Sequence, residues 1–192
     1  MADAVIRQSA LDGRVPAGHI GEPGRTGVHF DVVREVVLWQ VACWPDTLAA
    51  VGATVAGQLD AAKAPGPGQS VSGDAGALLR VEPLKWWVLG AEPSAPASDQ
   101  GARVDLSHAR TQVRVSGEAA ATLLMRHLPL NLNDAAFPVG AVASSAIHHV
   151  GVTVWRSDRG YELFVPRGFA ASVWALLLET AAQFGATATF VD

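Results

Sequence analysis

The sequence predicts an α+β fold in which antiparallel sheets are covered by helices. Three observations favour it. Several β-branched and aromatic runs are separated by short polar turns, as in hairpins. Three other segments carry apolar residues at helical spacing. Finally, no glycine-rich phosphate loop follows a strand and opens a helix, which disfavours a Rossmann fold, a barrel of alternating parallel strands, and dinucleotide binding.

The first half of the chain is predicted to run from an extended lead-in through a strand, a helix and a hairpin. Residues 1–29 are rich in Gly and Pro and have no apolar period, which predicts an N-terminal arm. The β-branched run 36–42 predicts a strand, and apolar residues spaced three and four apart predict a helix over 45–60. A Gly/Pro/Ser loop over 64–76 then leads to a hairpin over 78–89.

Five apolar side chains are spaced along the arm like anchors, and we expect the arm to lie over its own domain or over a partner protein. They are Val5, Ile6, Leu11, Val15 and Ile20.

The second half follows a polar, proline-bearing loop over 91–101 and repeats the order of strand, helix and hairpin. Ser116 is the predicted N-cap of the middle helix, and Gly185 is the predicted stop of the terminal helix. The predicted strands cover 104–106, 112–115, 141–148, 150–156, 161–165 and 187–191. The chain is therefore interpreted as an arm, 1–29, and a single α+β domain, 30–192, with a weak internal repeat of 30–90 and 102–192.

The composition points to a protein with a permanent interface. Charged residues make up 17% of the chain and apolar residues 49%, and there are six Trp. An average soluble domain has about 25% charged residues, so few charges remain to cover a monomer surface. Large aromatic residues are enriched at interfaces. The possible interface residues are Trp44, Trp86, Trp87 and Trp155, with burial in the core an equal alternative for each.

Charge and cysteine content exclude several function classes. The net charge of −4, without a basic run, gives no electrostatic footprint for nucleic acid. The chain shows neither a secretory signal nor an apolar run of membrane-spanning length, so we expect a cytoplasmic protein without a membrane partner. The single cysteine, Cys43, has apolar neighbours and is predicted to be buried.

The six histidines are candidate metal ligands or acid–base groups. His148 and His149 are adjacent in a predicted strand, where side chains point to opposite faces, so they are not expected to share a metal. Asp105, Ser107 and His108 lie in a turn. This group could act in acid–base chemistry, but capping of the turn by side-chain oxygens is favoured. We expect no catalytic, cofactor-binding or metal-ligating residue in this chain.

Four segments, in their order and spacing, carry a resemblance to a known family. They are Asp105-Leu106-Ser107-His108, Phe137-Pro138-Val139-Gly140-Ala141-Val142-Ala143, Gly151-Val152-Thr153-Val154-Trp155 and Tyr161-Glu162-Leu163-Phe164-Val165. Looser matches occur at 9–13, 76–79 and 86–89. The chain resembles the gamma subunits of heterotetrameric sarcosine oxidases, which are related to the folate-binding aminomethyltransferase fold.

The resemblance implies two ferredoxin-like halves, as in the N-terminal part of the aminomethyltransferase fold. It also implies a noncatalytic subunit with a structural and assembly role. The complex would demethylate sarcosine oxidatively to glycine, with formaldehyde or methylene-tetrahydrofolate and hydrogen peroxide as the other products. The alpha, beta and delta subunits would carry FAD, FMN, NAD, zinc and tetrahydrofolate. The substrate is left open between sarcosine, dimethylglycine and N-methylglutamate.

One departure from the related enzymes is visible in the sequence. In aminomethyltransferases a Gly-containing hairpin presents an acidic pair, whereas the corresponding segment here, Gly151-Val152-Thr153-Val154, has no acid. It offers no group that could take or give a proton at neutral pH, so we do not expect aminomethyl transfer by this chain. The alternative function is a free-standing folate-binding or aminomethyltransferase-like protein, which would need a polar-lined pocket.

Overall fold

The computed structural model describes residues 8–21, 23–73 and 75–192, which form two β-sheets flanked by helices. The predicted arm anchors Val5 and Ile6 lie outside the described residues. In chain order the elements are β1 (His19–Ile20), β2 (Val28–Val33), β3 (Leu38–Cys43), α1 (Leu48–Gly57), β4 (Ser70–Gly73), β5 (Gly76–Glu82), β6 (Lys85–Leu89), β7 (Gly101–Asp105), β8 (Arg110–Ser116), α2 (Ala120–Met125), β9 (Val142–Ile147), β10 (Val150–Ser157), β11 (Gly160–Pro166), α3 (Ala170–Ala181) and β12 (Ala186–Val191).

The five-stranded sheet has the order β4-β5-β6-β3-β7, and every neighbouring pair is antiparallel. Helix α1 covers one face, where Val51 and Val55 pack against Val41 and Trp86. The opposite face packs on the second sheet. Coverage on both faces explains why β6 is apolar over several consecutive residues rather than alternating.

The seven-stranded sheet has the order β1-β12-β2-β8-β11-β10-β9. All its pairs are antiparallel except β2 with β12, which run parallel. Helices α2 and α3 cover its outer face. There the rings of Phe30 and Trp174 meet edge to face with centroids 5.1 Å apart, a favoured geometry for aromatic pairs.

Besides the cores beneath α1 and beneath α2 and α3, the inner faces of the two sheets form a third hydrophobic core between them. Leu79 and Trp87 of the five-stranded sheet meet Trp155 and Phe164 of the seven-stranded sheet. The Trp87 and Phe164 rings are perpendicular, with centroids 5.6 Å apart. The protein is therefore layered helix, sheet, sheet, helix, and the prediction of antiparallel sheets with helices is confirmed.

Two strands are exchanged between the halves of the chain. Strand β2 directly precedes β3, yet it pairs with β8 and β12 in the seven-stranded sheet. Strand β7 directly precedes β8, yet it pairs with β3 in the five-stranded sheet. Apart from this exchange, β3-α1-β4-β5-β6 and β8-α2-β9-β10-β11 lay out their strands in the same order.

Several sequence-based expectations needed correction. The predicted strands on either side of the 107–110 turn belong to different sheets, so that turn is a crossover. Ser116 was wrongly predicted as an N-cap: it ends β8, and α2 begins at Ala120 without a side-chain cap. Strand β4 lies within the predicted 64–76 loop, and β2 was not predicted at all. Gly185 does end the terminal helical segment, with φ at 64°.

The described part of the arm packs on the seven-stranded sheet and its helices. Leu11 is fully buried in the core beneath α3, and Trp174 Nε1 donates a hydrogen bond to the Arg14 carbonyl at 2.9 Å. Strand β1 pairs with β12. Strand β2 crosses the boundary that the sequence interpretation set at residue 29.

Within the described ranges, no helix combines the length and the apolar character that crossing a membrane requires.

Candidate functional site

A buried cluster of polar side chains lies on the inner face of the seven-stranded sheet. At its centre is Glu162 of β11, whose side chain is completely buried. Its carboxylate accepts hydrogen bonds from Gln112 Nε2 at 2.8 Å, from Arg114 Nε at 2.6 Å and from Ser157 Oγ at 3.0 Å. The burial of a charge is tolerated here because both carboxylate oxygens are engaged.

Strand register brings these residues together. Glu162 is directly opposite Arg114 in the β8–β11 pair, and Arg114 is directly opposite Asp31 in the β2–β8 pair. Arg114 Nη1 lies 3.5 Å from Asp31 Oδ2, while its side chain is only 9% exposed. One arginine therefore bridges carboxylates on both neighbouring strands, which holds β2, β8 and β11 in register.

A cavity of about 570 Å³ opens between the sheets beside this cluster. Gln112, Arg114 and Trp155 line it together with loops of the five-stranded sheet. The cavity is polar in part, and two arginines, Arg114 and Arg159, line it. Arg114 is already paired with two carboxylates. Three donors take up three of the roughly four acceptor sites of the Glu162 carboxylate, which is completely buried, so the cluster is suited to hold the strands rather than to move a proton.

Sequence reasoning missed this cluster. It noted the lack of an acid in the Gly151 to Val154 segment, and β10 indeed carries none there. The acid stands instead on the adjacent strand, where Glu162 pairs with Trp155. The available signal was a charged residue directly between two apolar ones in a strand, which occurs at both Arg114 and Glu162 and indicates a paired buried charge.

The predicted structural turn connects the two sheets. The Ser107 backbone N–H donates to Asp105 Oδ1 at 2.8 Å. Ser107 Oγ accepts from the Leu38 N–H at 3.0 Å and donates to the Leu38 carbonyl at 3.3 Å. His108 is exposed on the same turn. The geometry ties the crossover to β3 through Ser107 and gives Asp105 a capping contact.

The four tryptophans singled out from the sequence separate into two groups. Trp86, Trp87 and Trp155 are 1%, 5% and 6% exposed, so for these three the core alternative is the correct one. Trp86 packs beneath α1, and the other two lie between the sheets. Trp44 is 56% exposed and stays available to a partner.

Within the described ranges, five large apolar side chains are exposed. Beside Trp44, they are Val37, Val104, Val139 and Phe169. Trp44 and Val104 lie at the same edge of the five-stranded sheet. Val104 is on the edge strand β7, and the Trp44 N–H donates a hydrogen bond to the carbonyl of Gln100, which directly precedes β7.

The histidines do not converge. His148 and His149 form the turn between β9 and β10 rather than lying in a strand, and His148 adopts a left-handed conformation with φ at 53°. In the part of the chain that the structure describes, no group of three or more His, Cys, Asp or Glu side chains could hold a metal ion.

Comparison with known proteins gives a consistent result. Residues 97–183 match the sarcosine oxidase gamma subunit family. Sarcosine oxidase subunit gamma from Arthrobacter sp. is 27% identical over 184 residues, which cover 88% of this chain and 89% of the relative.

Solved structures share the fold. A chain of the heterotetrameric sarcosine oxidase from Corynebacterium sp. U-96, in complex with pyrrole 2-carboxylate, matches with a TM-score of 0.71 and 18% identity, over 93% of this chain and 96% of that one. The glycine cleavage system aminomethyltransferase T from Bartonella henselae matches with a TM-score of 0.59 and 17% identity, over 87% of this chain and 48% of that one. The predicted relation to the aminomethyltransferase fold is confirmed.

The family match covers the second half, which contains the buried cluster and the crossover turn, and the Arthrobacter relative extends the similarity along nearly the whole length. Residues 97–183 thus match the sarcosine oxidase gamma subunit family, and the chain is similar to a subunit gamma along most of its length.

Proposed function

We propose that this chain is the gamma subunit of a heterotetrameric sarcosine oxidase in the cytoplasm and that its role is structural. The similarity to a named gamma subunit over almost the full length of both chains carries this proposal. In it, alpha, beta and delta subunits complete the complex and hold FAD, FMN, NAD, zinc and tetrahydrofolate. The complex oxidises the N-methyl group of a methylated amino acid.

The buried charges support a structural role for this chain. Glu162 lies on the strand next to the segment in which related enzymes present their acid, and its completely buried carboxylate is held by three donors. A catalytic carboxylate has to reach the proton that it moves. A free-standing folate-binding protein is the less favoured alternative, because no feature of the buried cluster requires folate.

The assembly surface that we propose is the exposed edge of the five-stranded sheet. Strand β7 is the last strand in the order of that sheet, and its residues Val104 and Asp105 are exposed. Trp44 projects beside the start of β7 and is 56% exposed. An edge strand flanked by an exposed aromatic residue suits a protein partner, which can pair with the backbone while it covers the ring.

Co-expression with the large subunits from the same source tests the proposal. Trp44→Ser is expected to weaken the association by about 2 kcal/mol, roughly 30-fold in Kd, as for a central interface tryptophan. Phe169→Ser is the matched control, since Phe169 is an exposed aromatic residue on the other sheet's side. Circular dichroism should be unchanged for both variants.

Turnover of sarcosine, dimethylglycine and N-methylglutamate by the purified complex would then identify the substrate. A wild-type chain that fails to co-purify with any large subunit would contradict the proposed function. Equal association of wild type and Trp44→Ser would contradict only the proposed surface.

A further inference from the structure

A second, smaller cavity lies between the sheets on the other side of the Trp87–Phe164 contact. Its volume is about 230 Å³, and it is lined by Gln40, Trp87, Arg110, Ser144 and Thr153, among others. Arg110 begins β8 and faces the five-stranded sheet, as Gln112 and Arg114 do further along the strand. The cavity therefore belongs to the same layer as the buried cluster, but it shares neither Glu162 nor Arg114 with it.

Arg110 differs from Arg114 in its partners. Among the residues that the structure describes, Arg110 forms no ion pair, and its Nη1 donates a long hydrogen bond to the Ala109 carbonyl at 3.5 Å. Its guanidinium carbon lies 5.6 Å from the centre of the Trp87 ring. Burial lowers the pKa of Arg110 below its ordinary value, because the charged guanidinium loses contact with water.

One acid, Glu82, lines the cavity, and its carboxylate is engaged by a neighbouring lysine at the surface. Glu82 Oε2 is 2.7 Å from Lys85 Nζ. The other polar groups can donate hydrogen bonds. Ser144 and Thr153 are directly opposite each other on β9 and β10, and Gln40 uses its Oε1 to accept a bond from Trp87 Nε1 at 3.3 Å, which leaves the Gln40 amide N–H groups as donors.

We propose that this cavity is a carboxylate-binding site in which the guanidinium of Arg110 is the anchor. A planar carboxylate matches the fork of an arginine and can take two parallel hydrogen bonds from it. Hydroxyl groups of Ser144 and Thr153 and the amide of Gln40 supply further donors, and Trp87 forms an apolar wall.

The size of the cavity limits the ligand to a short carboxylate. Pockets for drug-sized ligands have volumes of about 300–1,000 Å³, and this cavity lies below that range. It suits either a small free carboxylic acid or the carboxylate of an Asp or Glu side chain from a partner subunit. The chemistry of recognition is the same in both cases.

Sodium acetate is the probe for the site, and the tryptophan indole N–H signals of the full ¹⁵N-labelled chain are the readout. The Trp87 indole lines the cavity, whereas the Trp174 indole lies on the opposite face of the sheet and serves as an internal reference. We expect acetate to shift the Trp87 signal saturably, with millimolar affinity because so small a ligand has little contact area. The Trp174 signal should stay in place.

Two controls separate binding from general salt and solvent effects. Acetamide has the shape of acetate without its charge, and sodium chloride matches the ionic strength; neither should shift the Trp87 signal. Arg110→Met should weaken acetate binding at least tenfold, and Arg110→Lys should weaken it less. Absence of an acetate-specific shift in the wild type, or an equal shift in a folded Arg110→Met, would overturn the proposal.

The assembled complex distinguishes the two sources of carboxylate, and this step alone rests on the proposed function. If a partner side chain fills the site, Arg110→Met weakens assembly and acetate no longer shifts the Trp87 signal in the complex. If the ligand is a free acid, assembly is unchanged and the shift persists. Either result supports a carboxylate site. Unchanged assembly together with a lost acetate shift in the complex contradicts both sources.

Discussion

Removal of the Glu162 carboxylate is expected to destabilise the protein strongly. Glu162→Ala deletes three hydrogen bonds, one of them charge-assisted by Arg114. Bonds to charged groups contribute about 1.5–3 kcal/mol each. Part of this loss is recovered because Arg114 lines a cavity and can be rehydrated there. Breaking a buried pair costs about 3–5 kcal/mol in general, and we expect a loss in that range.

A loss of this size is a large part of the 5–15 kcal/mol by which folded domains are usually stabilised. Guanidinium denaturation followed by circular dichroism measures it, and the melting temperature should fall by roughly 10 °C for a chain of this length. Glu179→Gln, an exposed carboxylate on α3, is the matched control and should change stability by less than about 0.5 kcal/mol.

A double variant tests the reason for the loss. Glu162→Leu leaves the buried Arg114 with the long 3.5 Å contact to Asp31 in place of two carboxylate partners. Adding Arg114→Met removes this poorly compensated charge. The double variant should therefore be more stable than Glu162→Leu, as when other buried ion pairs are replaced by apolar residues. A loss below about 1 kcal/mol for Glu162→Ala, or a double variant less stable than the single one, would refute the argument.

Three further predictions concern single side chains. Ser107→Ala should lower the free energy of unfolding by about 1–2 kcal/mol in chemical denaturation, because the Ser107 hydroxyl ties the crossover to Leu38. His108 is exposed, so His108→Ala should lower it by less than about 0.5 kcal/mol and leave turnover per assembled complex unchanged. A large fall in turnover would make this turn part of an active site. Burial, and then the charges of His148 and Arg126, lower the pKa of His127 below its ordinary value of 6.5. The unfolded chain then binds a proton before the folded one does, so the free energy of unfolding should fall as pH drops through about 6.5, and denaturation of His127→Gln at several pH values should show a smaller fall. Cys43 is 6% exposed and burial raises its pKa, so its thiol should react with a chromogenic disulfide only after denaturation; rapid labelling of native protein would show that β3 is not packed as described.

Local patterns were sufficient to predict the helices and hairpins. The helical spacing of apolar residues predicted α1, and the short helical turn that follows α3 ends where Gly185 takes up its positive φ. The hairpin of β10 and β11 follows from a polar turn between two β-branched runs. These features depend on residues close together in the sequence, which is why one sequence is enough to find them.

Pairing between distant segments could not be predicted in this way. Strand β2 is short and follows a Gly/Pro-rich stretch, so its pattern alone does not distinguish it from the arm, and its place between β8 and β12 depends on residues far along the chain. The ion pair of Arg114 and Glu162 depends on the same long-range register. Trp155 shows why interface residues could not be predicted from residue type. A tryptophan suits an interface or a core equally, and Trp155 is buried because the second sheet packs on it.

The exchange of β2 and β7 between the halves has a consequence for how the chain folds during synthesis. His29 of β2 and its neighbour Thr187 of β12 are separated by 158 residues. At a synthesis rate of about 5–20 residues per second, β2 waits roughly 10–30 s on the ribosome for its last partner. Through that interval the apolar side chains of Val28, Phe30 and Val32 lack their final neighbours. We therefore expect the nascent chain to depend on chaperones and to fold in one cooperative step after β12 has been synthesised. Neither half of the chain should fold as an independent fragment.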